Sequence, residues 1–112
     1  MEHSIGEQIR KKRKANFLTM QQLGELLGFS HTYVAKIEKG LATPSYEQIV
    51  ELARILEMDA NYIMLAYNKI PPNIAEILLE NQFIIELLED PDLIIRAKSF
   101  YDKRNSNKII IP

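Results

Sequence analysis

Between Gly28 and Gly40 the chain reads GFSHTYVAKIEKG, a stretch that sets Ser30, His31, Thr32, Tyr33 and Lys36 within seven residues of one another. Ser30 beside His31 has the composition of a nucleophile and its base, but neighbours in sequence do not face each other on a helix, so no dyad forms. His3 is the only other histidine and the chain has no cysteine, which leaves no usual ligand set for structural zinc. Glu86, Glu89, Asp90 and Asp92 read as a solvated face and a helix cap rather than an acid–base or metal site. No glycine-rich loop suited to phosphate is present. Without a convergent site the chain does not read as an enzyme, and no cofactor is called for. What remains is recognition chemistry: donors, acceptors, a cation and an aromatic ring on a helix of about two turns.

With 112 residues the chain fits one small domain, or a very small one with an appendage. The absence of cysteine suits a reducing cytoplasm. No run of 18 apolar residues exists and Glu2 and Glu7 flank the start, so neither a membrane span nor a signal peptide is expected, and the predicted location is cytoplasmic. The net charge of -1 hides an asymmetry. Through Ser45 there are seven Lys/Arg against four Asp/Glu, whereas from Tyr46 onward seven stand against eleven. The N-terminal part is therefore the part suited to a polyanion.

The elements that must position the recognition residues are all helices. Ile5, Ile9 and the stem of Lys12 predict an amphipathic helix from about Ser4 to Lys14, whose outer face carries Arg10, Lys11, Lys12, Arg13 and Lys14. Thr19 and Gln22 form a capping box for a second helix that buries Leu23, Leu26 and Leu27 and stops at Gly28. Ser30 caps the third, whose inward residues are Val34 and Ile37. Ser45 and Gln48 cap a fourth, with Ile49, Leu52, Ala53 and Leu56 inward, and Asp59 caps a short fifth that adds Ile63, Met64 and Tyr67. Asn68 to Pro72 reads as a connector, since consecutive prolines do not continue a helix. The predicted domains are 1–68 and 69–112.

Two short helices joined by a glycine-containing turn, the second rich in hydrogen-bonding side chains, have the form of a helix-turn-helix whose second helix enters the DNA major groove. That groove, about 12 Å wide, admits one helix, and base edges are met by its outer face near the N-terminus. Those positions are Ser30, His31, Thr32 and Lys36. Lys36 suits guanine, which presents two acceptors there.

From about Ile5 to Ala66 the residues resemble the lambda-repressor-like, or XRE-type, helix-turn-helix family. The spacing of Leu23, Gly28, Ser30, Val34, Ile37, Glu38, Gly40 and Pro44 carries the resemblance. It implies a five-helix DNA-binding domain, usually dimeric, acting on double-stranded DNA at an inverted-repeat operator. It also implies that Tyr33 lies by a phosphate, the alternative being a partly buried packing residue. By the same match Arg10 and Glu38 form an ion pair tying the first helix to the third, so that removing Arg10 would strand a charge. Thr19, Lys39 and Thr43 are further phosphate candidates. Met20 stands where most members have a phosphate-touching Gln, which Gln21 would have to replace. Gly24 stands where Ala is usual.

Beyond the connector, apolar residues recur at helical spacing and Asp90-Pro91 supplies a cap and first-turn proline for a helix to about Arg104. The expectation is a helical hairpin followed by a short tail, NKIIIP, either an arm or a frayed end. Its apolar content exceeds one stripe: Ile77, Phe83, Ile84, Leu87, Leu88, Ile94 and Ile95 predict a homodimer interface. The competing reading makes the chain an antitoxin, or a regulator held by a protein antagonist, with that surface binding the partner.

Overall fold

The computed structural model describes residues 4–109, and their regular structure is all α-helix. The first five elements are α1 (Ile5–Ala15), α2 (Met20–Leu27), α3 (His31–Glu38), α4 (Tyr46–Leu56) and α5 (Ala60–Ala66). Every start carries the side-chain oxygen that orphaned N–H groups require. Ser4 Oγ accepts from the Glu7 amide at 3.2 Å, Ser30 Oγ from the Tyr33 amide at 3.1 Å, and Asp59 Oδ1 from the Asn61 amide at 2.9 Å. Thr19 with Gln22 and Ser45 with Gln48 form complete capping boxes. Gly28 closes α2 in the left-handed conformation at φ 73°, which the tight turn into α3 demands.

Ile9, Leu23, Val34, Ile37, Leu52 and Leu56 form one buried cluster, so α1 through α4 share a core. Ile49, Ala53, Ile63 and Met64 form a second that fastens α5 to α4. Each fully buried aliphatic contributes about 1.5–3 kcal/mol, enough in sum for a small domain to hold short helices.

Two inward faces differ from those expected. On α1 the buried residues are Gly6, Ile9 and Arg13; Lys12 is exposed. On α2 they are Leu23 and Gly24, while Leu26 is 57% exposed. In both helices a glycine belongs to the buried stripe, and a residue without a side chain leaves no hydrophobic signal. A Cβ at Gly6 would sit 2.5 Å from the Glu38 carbonyl oxygen, and one at Gly24 would sit 2.6 Å from that of Phe29. The second distance explains why Ala does not occupy position 24.

The chain separates into two compact units, Met1–Pro71 and Pro72–Pro112. The connector up to Pro71 belongs to the first: the Tyr46 hydroxyl donates to the Ile70 carbonyl at 3.1 Å, and Lys69 Nζ lies 4.9 Å from the Tyr46 ring centre. Pro72 opens α6 (Pro72–Glu80), since a missing N–H costs nothing in a first turn.

The second unit is all-helical, as expected, with the hairpin's first arm divided in two among the described residues. It holds three helices: α6, α7 (Phe83–Leu88) and α8 (Pro91–Ile109). Asn81 makes the break, its side-chain amide donating to the Ile77 carbonyl at 2.9 Å and so ending α6. Asp90 Oδ1 caps α8 as expected, accepting from the Asp92 amide at 3.0 Å. Residues 107–109 of the NKIIIP tail continue α8, and its last three residues lie outside those described. Among the described residues no helix is long and apolar enough to cross a membrane.

Within the first unit, the Tyr67 hydroxyl is buried without a hydrogen-bond partner. Burial, and secondarily the neighbouring Tyr33, pushes its phenol up to about 12. An ordinary phenol titrates near ~10, so the folded chain holds this proton more tightly than the unfolded one. The resulting stability is complete below about pH 10 and is lost as pH climbs through about 12. Tyr67→Phe should flatten the alkaline decline in thermal midpoint. At neutral pH it should leave stability equal or higher, because an unsatisfied buried group is gone. Identical alkaline profiles for the two chains would contradict this.

Candidate nucleic-acid interface

Three elements build the candidate surface: α3, the start of α2, and the loop from α3 to α4. On α3, Val34, Ile37 and Glu38 are buried. His31, Thr32 and Lys36 are exposed on the opposite arc, with Lys39 in line at the C-cap. None of the side chains of His31, Thr32 and Lys36 makes an intramolecular hydrogen bond or ion pair among the described residues, so their donors and acceptors face outward unspent. Ser30 is also exposed; its oxygen accepts one capping bond, which leaves the hydroxyl proton and one lone pair for a ligand. Thr19 is in the same position at the start of α2, where its oxygen accepts from the Gln22 amide at 3.0 Å. Gln21 and Thr43 are exposed beside it and in the loop, respectively.

The ion pair differs from the expected Arg10–Glu38. Glu38 is held by Arg13: Nε donates to Oε2 at 2.6 Å and Nη2 to Oε1 at 3.1 Å, a two-pronged pair with side chains 8% and 5% exposed. Arg13 Nη1 also donates to the Leu18 carbonyl at 2.8 Å. One guanidinium therefore joins α1, the turn before α2, and the end of α3, a geometry that only the planar fork of Arg provides. The physical reason lies in helix phase. Arg13 follows Ile9 by one turn on the inward stripe, whereas Arg10 is exposed and lines a shallow groove with Glu7, Met20, Ala35, Glu38 and Lys39, without an ion pair to Glu38.

Tyr33, expected near a phosphate, is half-buried. Its hydroxyl donates to Gln48 Oε1 at 2.9 Å, and its ring meets Phe29 edge-on at 5.0 Å. The packing role is the one the structure displays. Met20 likewise turns inward against the core cluster, so a side chain suited to packing occupies the position where a Gln would face outward.

A helix-turn-helix family profile matches residues 9–63, which run from α1 into α5. HTH-type transcriptional regulator YobD of Bacillus subtilis is 30% identical over 87 residues, covering 78% of this chain and 73% of YobD. The chain belongs to the lambda-repressor-like helix-turn-helix family of transcriptional regulators. It spans about half the length of two relatives from Mycobacterium tuberculosis, 49% of each. Among solved structures, the P22 c2 repressor in complex with synthetic operator 9T superposes with a TM-score of 0.52 at 26% identity, over 55% of this chain and 92% of that one. A chain of the SinR protein/SinI protein complex superposes with a TM-score of 0.52 over 91% of this chain and 98% of its own; at 18% identity that likeness concerns the fold alone.

Three residues of this helix-turn-helix regulator escaped the sequence reading. Arg13 was hidden in a run of five consecutive cations, where nothing distinguishes the buried one. Gly6 carried no side-chain signal. Gln48 was legible as a capping residue, but its second bond to Tyr33 spans fifteen positions, and no local pattern announces it.

The apolar residues of the second unit lie largely in the open. Neither α6 nor α7 has a buried residue. Phe83 is 60% and Ile95 67% exposed, and Ile77, Leu87, Leu88 and Ile94 are exposed as well. Ile84, Leu87, Leu88, Leu93, Ile94 and Ala97 line an apolar groove formed by α7 and α8.

Proposed function

We propose that this regulator is a sequence-specific repressor that binds an inverted-repeat operator as a homodimer, working in the cytoplasm. The observation that carries the reading is the arc of His31, Thr32 and Lys36, exposed and unspent on a helix whose other side is clamped by Val34, Ile37 and Glu38. A rigid helix presenting free donors and acceptors suits base edges in the major groove. Ser30 adds a donor at the same end. Lys39, Thr43, Thr19 and Gln21 surround that arc with groups for phosphates, which fix register without reading sequence. Two protomers would set their recognition helices about 34 Å apart, and affinity should fall steeply with salt.

The apolar surface of α7 and α8 supports a second copy as the occupant, because a unit this small with so little buried surface gains most of its stability by association.

Selection of bound duplexes from a random pool tests the reading. The intact protein should enrich an inverted repeat, and Lys36→Ala should lose preference at one symmetric position per half-site, a loss of about 1–3 kcal/mol of discrimination. Enrichment of a single half-site would remove the homodimer and shift the apolar surface to a foreign protein, the antagonist or toxin. Enrichment of nothing would remove DNA readout altogether.

A further inference from the structure

We propose that Gln48, which no DNA-facing role requires, is a positioning residue for operator recognition; this rests on the DNA-binding reading above. Its side-chain carbonyl oxygen accepts two hydrogen bonds, from the Ser45 amide at 2.9 Å and from the Tyr33 hydroxyl at 2.9 Å. The orientation of the amide is dictated by chemistry: a backbone N–H can only donate, so the atom facing Ser45 is oxygen, and the Tyr33 hydroxyl facing that same oxygen must donate as well. One atom thus joins the first turn of α4 to the first turn of α3.

The junction matters because it lies between the two DNA-facing elements. Tyr33 follows directly on His31 and Thr32, and Ser45 follows directly on the loop that carries Thr43. The buried ends of α3 are fixed separately, by Arg13 on Glu38 and by the core contacts of Val34 and Ile37. Those contacts hold the inward face of α3, whereas the setting of its first turn against the start of α4 is held by the Tyr33–Gln48 bond. Gln48 supplies that contact, so the base-facing arc and the phosphate-facing loop move as one piece. Misplacement of a few tenths of an ångström weakens directional base contacts far more than it weakens attraction to phosphates.

Tyr33→Phe removes the interhelical bond and keeps the capping box; Gln48→Met removes both; the double variant reports whether they act together. Binding would be measured at one salt concentration to the duplex enriched by the intact protein and to a scrambled duplex of equal length, with thermal midpoints alongside. Tyr33→Phe should lower affinity for the enriched duplex roughly five- to tenfold, the worth of one hydrogen bond, and leave the scrambled duplex unchanged. Gln48→Met should show the same selective loss with a lowered midpoint from the missing cap, and the double variant should lose no more selectivity than Gln48→Met alone. Equal losses on both duplexes from Tyr33→Phe, with Gln48→Met keeping its selectivity, would make Tyr33 a direct phosphate contact and overturn the proposal. Unchanged selectivity in all three variants would overturn it too. An intact protein that prefers no duplex would instead remove the DNA reading itself, and this inference with it.

Discussion

Arg13→Ala should lower the unfolding free energy by about 3–5 kcal/mol, because it leaves the Glu38 carboxylate buried without its cation. That is a large share of the roughly 5–15 kcal/mol that a domain possesses. Arg10→Ala, three positions earlier on the same helix and exposed, should stay within about 0.5 kcal/mol of the parent. Urea denaturation of the two variants side by side measures the contrast. A midpoint for Arg13→Ala equal to that of the parent would show that Glu38 finds water or another donor. Loss in both variants alike would return Arg10 to the pair. Arg13→Lys should behave nearly as badly as Ala, since an ammonium cannot reach both carboxylate oxygens and the Leu18 carbonyl from one stem.

Gly6→Ala should be destabilising although Ala is the better helix former by about 1 kcal/mol. The added Cβ would lie 2.5 Å from the Glu38 carbonyl oxygen and 2.7 Å from that of Ile37. Both obstacles are backbone, so no rotamer change relieves them, and α1 must move off the end of α3. Overpacking of this kind costs about 1–3 kcal/mol beyond the propensity gained. The same movement pulls Arg13 from Glu38, which makes Gly6→Ala and Arg13→Ala less than additive when combined. A Gly6→Ala chain that melts at or above the parent temperature would mean that the two helices slide apart freely.

How much of this was legible in the sequence depended on the kind of force involved. Thr19, Ser30, Ser45 and Asp59 announced their helices because capping is local chemistry, complete within three residues. Val34, Ile37 and the aliphatics of α4 announced their inward faces because burial follows helical period. Leu26 misled for the same reason: an apolar residue at plausible spacing reads as core, and only the close approach at Gly24 rotates α2 so that Leu26 faces water. The break between α6 and α7 was missed since neither Asn81 nor Gln82 stops a helix in general. Asn81 does so by turning its side chain back onto Ile77. Among the candidate DNA-facing residues, exposure was anticipated for His31, Thr32 and Lys36. The partner of Tyr33 was not, because a bond between α3 and α4 depends on how the helices are set and not on either helix alone.

The separation of α3 into an inward half tied by Arg13, Gly6 and the core, and an outward arc that makes no hydrogen bond or ion pair among the described residues, bears on how such proteins diverge. A change at His31, Thr32 or Lys36 removes no hydrogen bond or ion pair among the described residues, so these positions can acquire new preferences one step at a time. Arg13 and Glu38 cannot: each single replacement passes through a chain with a stranded charge, and only a paired exchange restores it. Such a division favours a scaffold that resists change while its specificity is open to selection, so that duplicated copies can part company in the targets they address before they part company in shape.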